Sequence, residues 1–243
     1  LAELAQHRPD YQEAERIIRE LVELSTNEHG PEHQWTLPLR ASHAFVLLGM
    51  GRFDEGDAIA REVVDIHARV YGKESPWYLY ALNTAGMGYR LARRYDRAEE
   101  VYREMLAQYR MRHEEHHDDV LKTRGRLARV FVEQRRFEDA HDELSEILAL
   151  RREAYGDTNR RTYDTIALLG SLESRRGRTA AALAHYDEAI ELALRTRQNP
   201  DHPDVGRLRH ARSGVLRAAG RFQESVAASR VVLESFERTA TGP

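Results

Sequence analysis

Cysteine is absent from the 243 residues. No disulfide framework, thiolate nucleophile or cysteine-ligated zinc or iron–sulfur centre can therefore form. Long apolar runs are missing as well: no window approaches the roughly 18 apolar residues a membrane-spanning helix needs. Leu1 to Gly30 has neither the basic start nor the apolar centre of a signal peptide. A soluble chain with no membrane partner, in the cytoplasm by default, is the expectation. Lysine is scarce, Lys73 and Lys122 being two among 37 basic residues. We assign that skew to the codon usage of a GC-rich, actinobacterial genome and not to mechanism. Charge of one sign is not in excess either. A formal net charge of -3 supplies no global attraction to nucleic acid or anionic lipid, so nucleic acid would be reached only through a fused or partner domain. With no Gly-x-Gly-x-x-Gly or Walker-type loop and no nucleophile arrangement, the sequence predicts no cofactor and no catalysed reaction. What is present is 41% apolar and 32% charged residues. That suffices for a sizeable core but suits an elongated, surface-rich shape better than one compact globule.

Sliding the sequence against itself aligns Tyr11, Phe53, Tyr95 and Phe137 at intervals of 42, then Thr179 at 42 and Phe222 at 43. Three residues after each anchor stands a small one: Ala14, Gly56, Ala98, Ala140, Ala182, Ser225. Twelve residues before those stand Ala2, Ala44, Gly86, Ala128, Gly170 and Ser213, again all small. Two small positions at fixed separation with an aromatic between them describe a helical hairpin. The small residues allow close approach of two antiparallel helices, and the aromatic at the turn fills the wedge beside them. Ala98, Val101, Tyr102, Met105 and Leu106 follow the i, i+3, i+4, i+7 rule after one turn, and Leu127, Val130 and Phe131 do so before another. Arg52, Arg94, Arg136, Arg178 and Arg221 precede the anchors, where a cation suits the dipole and orphan carbonyls of the first helix's last turn.

These units resemble tetratricopeptide repeats of the long, 42-residue kind found in kinesin light chains and in many bacterial regulators. The linkers "GPEHQWT", "GKESPWY" and "NPDHPDV" are close to the Gly-x-x-His-Pro-Asp-Thr of that kind. Departures are "EEHHDDV" and "GDTNRRT", Thr179 at an anchor, and one residue inserted before His202. The resemblance implies an all-α fold, a right-handed α-solenoid of helical hairpins running through 1–243 as one array. Its units would be 1–35 (partial), 36–77, 78–119, 120–161, 162–203 and 204–243. Leu1 falls inside a first helix, so a fragment of a longer chain is expected. Val226, Val231, Val232, Leu233 and Phe236 give the last helix more apolar surface than its partner can cover, which predicts a neighbour or homo-oligomerisation through the repeat ends.

The stretch "RHEEHHDDV" contains His113, Glu114 and His117 in the His-Glu-x-x-His spacing of a zincin, which requires a continuous helix. The segment coincides with an inter-repeat linker, and His117 aligns with His33 and His202. A helix stopping near His113 would leave His117 out of one-turn reach, so a polar, capping loop without a metal is expected.

The first helix of each unit lines the concave groove in proteins of this kind. The register places there Phe45, with Leu48; Tyr80, Asn83, Met87, Arg90 and Leu91; Lys122 and Arg129; Arg175; and Arg207, His210 and Arg217. The pattern reads as an apolar end at Phe45, Leu48, Met87 and Leu91 and a basic middle at Arg90, Lys122 and Arg129. Together they predict a protein or peptide partner that is acidic with an apolar anchor. The alternative is the sensor domain of a larger signalling ATPase or transcriptional regulator.

Overall fold

A computed structural model describes residues 9–240, and side chains from Tyr11 to Glu237 except Phe236. Leu1, Ala2 and the Phe236 side chain, which entered the expectations for the two ends, lie outside the described residues. Among the described residues the chain is all-helical: α1 (Pro9–His29), α2 (Thr36–Gly49), α3 (Phe53–Ile66), α4 (Pro76–Leu91), α5 (Tyr95–Arg110), α6 (Asp118–Glu133), α7 (Phe137–Tyr155), α8 (Arg160–Arg175), α9 (Thr179–Arg197), α10 (Pro203–Ala218) and α11 (Phe222–Ala240). A π-helical turn at His67–Tyr71 extends α3. Consecutive helices pack as hairpins, α2 with α3, α4 with α5, α8 with α9 and α10 with α11. The chain falls into two compact units, up to Val130 and from Phe131 on.

Each hairpin turn is built the same way. The first helix ends on a left-handed residue, Gly51, Arg93, Arg135, Gly177 or Gly220, with φ between 60° and 82°. The next residue, always arginine, donates its backbone N–H to the carbonyl five positions back at 2.8 to 3.0 Å, as from Arg94 to Tyr89 and from Arg221 to Leu216. That bond satisfies an orphan carbonyl of the first helix and reverses the chain. The arginine side chains act differently from the expectation. Arg52, Arg136 and Arg221 reach forward to carboxylates in the first turn of the second helix, Glu55 (2.6 Å), Asp139 (2.7 Å) and Glu224 (2.7 Å), while Arg94 lies over the Phe53 ring at 4.6 Å. In those three pairs the cation meets the acidic N-terminal turn it precedes, because that carboxylate is one helical turn away, whereas Arg178, before a turn without acids, reaches back to Glu173 at 3.5 Å.

The small positions are where the helices meet. Ala44, Ala98, Ala128, Ala140 and Ala182 are at most 1% exposed. A Cβ on Gly56 would lie 3.1 Å from the Ala44 carbonyl oxygen, and one on Gly170 3.2 Å from that of Ala182. In the last hairpin Ser213 and Ser225 exchange hydroxyl-to-carbonyl hydrogen bonds of 3.0 Å each way, which lets two polar residues occupy the same contact. The aromatic anchors, in contrast, do not fill a buried wedge. Phe53, Tyr95 and Phe137 are partly exposed, and Phe222 is 64% exposed. They stand at the first position of a second helix, where half the ring looks outward. The buried aromatics are others: Tyr102, Tyr163, Tyr78 and Tyr89 are at most 3% exposed.

Tyr102 explains Gly86. The ring lies so close that a Cβ on Gly86 would sit 2.6 Å from its Cε1, and Tyr186 covers Gly170 in the same way at 3.0 Å. Asp204, second residue of α10, is 5% exposed. It accepts hydrogen bonds from the Tyr163 hydroxyl (2.9 Å) and from Arg197 (2.8 and 3.0 Å). Burial opposes its charge, yet these donors hold its carboxyl below the usual range. Gly86→Ala should therefore destabilise by about 1 to 3 kcal/mol through overpacking. Gly125→Ala, in a helix with no atom within 4 Å of the added Cβ, should instead raise stability by up to about 1 kcal/mol. Urea titrations of both variants check this.

His67, in the π-helical turn, has no exposed surface, and neither ring nitrogen has a hydrogen-bond partner. Burial pushes its pKa down, so the folded protein holds it neutral. On acidification the unfolded chain takes up the proton first, near pH 6.5, and stability falls from there toward the depressed folded value. His67→Leu should fold and should lose that part of the decline, so its melting temperature should fall less than the parent's between about pH 7 and 5.

Candidate protein-binding face

The first-helix face of unit 1 is carried by α2, α4 and α6. On α4 the residues Tyr80, Asn83, Met87, Arg90 and Leu91 share one side, since they follow the helical repeat. Tyr80, Met87 and Leu91 are 42%, 40% and 42% exposed, a run of large apolar groups along a single helix. Phe45 from α2 is half-buried beside them. Gly88 makes the contact possible, because a Cβ there would lie 2.8 Å from Leu48 Cδ1 and 3.6 Å from Phe45 Cα. Leu48 itself is 1% exposed and belongs to the core, so it drops out of the predicted apolar end. It occupies the side of α2 that turns inward to Gly56, where a Cβ would meet Leu48 Cγ at 2.7 Å. Asn83 directs its amide nitrogen to the Met87 sulfur (3.7 Å), leaving its carbonyl oxygen buried without a partner.

The basic residues of this face differ in what holds them. Lys122 is bound within its own helix to Asp118 (2.6 Å) and Asp119 (3.7 Å), so much of its charge is already answered. Arg90 has no carboxylate partner among the described residues. Arg126, one turn beyond Lys122, was not singled out by the register and belongs to the same group. Burial pushes the Tyr102 hydroxyl up, and the fields of Arg126, Arg90 and Arg129 pull it back, which brings the three cations to one locality around that ring. The signal for Arg126 was the i, i+4, i+7 series Lys122, Arg126, Arg129 on α6.

In unit 2 the predicted arginines are tied to acids one repeat away. Arg175 on α8 pairs with Glu133 on α6 (3.3 Å), 42 residues earlier, and Arg207 on α10 with Asp164 on α8, 43 residues earlier. These are equivalent faces of successive first helices, so the pairs form rungs between them. His210 and Arg217 are exposed on α10. At the last helix Val226, Val231 and Leu233 are 61%, 44% and 59% exposed, but Val232 is 6% exposed and packed inward. On α1, Ile17, Leu21 and Leu24 are exposed as well.

The linker histidines have a structural task. α5 ends at Arg110, and His113 and His117 stand in the turn that follows, their rings stacked at 3.7 Å. They meet through the turn and not along a helix, which is closer than a stopped helix led us to expect. His117 Nδ1 accepts the backbone N–H of Asp119 (3.3 Å) at the start of α6. The equivalent acceptor at α4 is Ser75 Oγ (3.2 Å), at α8 Asn159 Oδ1 (2.9 Å) and at α10 His202 Nδ1 (3.1 Å). His33 Nδ1 receives the Trp35 N–H at 3.4 Å before α2. Ser, Asn and His thus interchange at one capping position because each offers an acceptor at that reach. No group of three His, Asp or Glu able to hold a metal occurs among the described residues. Nor is any described helix long and apolar enough to cross a membrane.

This arrangement of hairpins defines a helical-repeat protein. The tetratricopeptide repeat family model matches residues 38–111, 89–153 and 161–238, and the chain belongs to that family. The fold is also that of solved structures. The TPR-like repeats of a kinesin-light-chain-like protein from Podosopora anserina superpose with TM-scores of 0.65 and 0.63 in two crystal structures. In each the identity is 17%, over 85% of this chain and 97% of that one. BtubC (BKLC) from P. vanneervenii gives 0.64 at 19% identity, over 96% of this chain and 92% of that one. No curated protein matches the chain. Tetratricopeptide repeats are in general protein-interaction modules.

If His117 is a cap, His117→Asn should keep the stability of the parent, and His117→Ala should lower it by about 1 kcal/mol. Thermal denaturation with and without added zinc separates this from a metal ligand. A melting temperature raised by zinc in the parent and not in His117→Asn would contradict the capping role.

Proposed function

We propose that unit 1 binds a segment of another protein on its first-helix face, the segment carrying an apolar anchor flanked by acidic residues. The observation that supports this most directly is the run of exposed Tyr80, Met87 and Leu91 on α4, with Phe45 alongside. Single exposed apolar residues are ordinary, but a contiguous strip of them on a monomer surface favours an interface. Covering such a side chain fully is worth about 1.5 to 3 kcal/mol, so an anchor lying on this strip has a source of affinity. Asn83 lies within the strip. Its buried carbonyl gains a hydrogen bond if the amide turns toward a backbone N–H of the bound segment.

Charge supports the acidic flank. Arg90 has no carboxylate partner among the described residues, and Arg126 and Arg129 lie in the same locality. Cations on such a face favour carboxylates by steering and by pairing at the rim. Arg175 and Arg207, predicted for the same role, are already occupied by Glu133 and Asp164, so unit 2 contributes less to an acidic ligand in this reading. The module is a cytoplasmic scaffold that catalyses no reaction. Recognition resides in side chains that fold and packing leave exposed.

A fluorescent peptide with a central leucine–tryptophan pair between aspartates and glutamates tests the reading by anisotropy. Met87→Asp and Arg90→Glu should each weaken it about tenfold or more, with helicity unchanged and with a shallower salt dependence for Arg90→Glu. Equal binding by parent and both variants would sink the first-helix face as the site.

A further inference from the structure

α4 also borders a cleft. Opposite the strip just described, Tyr78, Leu82, Ala85 and Tyr89 follow the same helical repeat and form the floor of a cleft of about 690 Å³ between α3 and α5. Ala60 and Val64 from α3 and Val101 from α5 complete an apolar lining. That size falls in the range of small-ligand pockets, which combine an apolar body with a few converging polar groups. Here the polar groups are unevenly satisfied. Arg61 is bound to Asp57 (2.9 Å), Arg97 to Glu100 (2.7 Å) and Arg103 to Glu99 (2.7 Å), so each cation of the rim already has a carboxylate. At the far end the Tyr89 hydroxyl is likewise engaged, donating to Asp57 at 2.7 Å.

At the Tyr78 end the balance is the reverse. Asp65 from α3 and Glu104 from α5 both line the cleft, one from each wall. The Tyr78 hydroxyl donates to Glu104 at 3.1 Å, and Asp65 lies near enough to act on the same hydroxyl. Glu104 also receives the ammonium of Lys73 at 3.2 Å, so this carboxylate accepts an ammonium group. Asp65 has neither an ion pair nor a hydrogen bond among the described residues. An anion entering the cleft would meet arginines already neutralised and two carboxylates, whereas a cation would meet an unanswered one.

We propose that this cleft is a binding site for a small organic cation, an ammonium group carried on an apolar body, with the ammonium at Asp65 and the body on Val64, Leu82, Ala85 and Val101. The site is independent of the first-helix-face reading, since it uses the other side of α4.

Phenethylammonium is the probe, with phenethyl alcohol as its neutral counterpart and 3-phenylpropanoate as the anion. Binding to the 243-residue protein is followed by methyl NMR shifts of Val64 and Val101. The ammonium should bind about tenfold more tightly than the alcohol, and the carboxylate more weakly than either. Asp65→Asn, an exposed substitution that the fold should tolerate, should abolish the preference for the ammonium while leaving alcohol binding unchanged. The proposal is overturned if the three probes bind alike, if Asp65→Asn keeps the cation preference, or if millimolar ammonium leaves both valine methyls unmoved.

Discussion

The contact between two small residues at the crossing of each hairpin is the constraint on which the rest of the structure depends. Ala44 against Gly56, Gly170 against Ala182 and Ser213 against Ser225 bring backbone to within van der Waals or hydrogen-bonding distance. Close packing at that point fixes the angle and depth of approach for the remaining length of both helices. Everything the hairpin presents outward follows from it: which residues of a first helix face the next first helix, and which remain in solvent. The turns serve the same end. A left-handed residue followed by an arginine returns the chain at the distance the crossing demands, whether the residue is Gly51 or the sterically disfavoured Arg93 and Arg135.

A consequence is that a single helix presents two unlike surfaces. On α4 the sides bearing Tyr80 and Met87, and Tyr78 and Tyr89, are set by a phase difference of about half a turn of the helical repeat, and the crossing at Gly86 holds that phase. One side exposes apolar groups with cations nearby, and the other encloses apolar groups with tyrosines and carboxylates around them. The two chemistries coexist because the helix is gripped along its edges, by α5 at Gly86 and by α2 at Gly88.

What could be read in the sequence was whatever repeats. The small residues recur with the same period as the first helices, which begin at Thr36, Pro76, Asp118, Arg160 and Pro203. Linker chemistry was legible where His117 aligned with His33 and His202, since all three accept a backbone N–H ahead of or at the start of a first helix. Pairings across repeats were harder. Arg175 with Glu133 and Arg207 with Asp164 follow from the period, but only when opposite charges are sought one repeat apart and not within a turn. Exposure at the anchors was not legible, because an aromatic at the first position of a helix is half covered by the turn and its other half depends on the neighbouring hairpin. Leu48 was misplaced for a related reason: a strip one residue wide on a helix separates groove from core. The cleft between α3 and α5 lies in a gap between elements, and a gap leaves no periodic trace.

Tyr102 over Gly86 and Tyr186 over Gly170 show matched volumes inside single hairpins, large opposite none. The hairpin of α2 and α3 solves the same position with Ala44 and Ala60, both nearly fully buried. Each hairpin is therefore a complete solution, and its halves are not interchangeable with those of its neighbours. In the history of such a chain, whole hairpins can be duplicated or lost in register, since each brings its own complement. A crossover falling within the turn would join a tyrosine-bearing second helix to an alanine-bearing first helix and place a ring where a methyl group already stands. A crossover in a linker, ahead of the capped start of a first helix, would keep each of these rings with the glycine it covers.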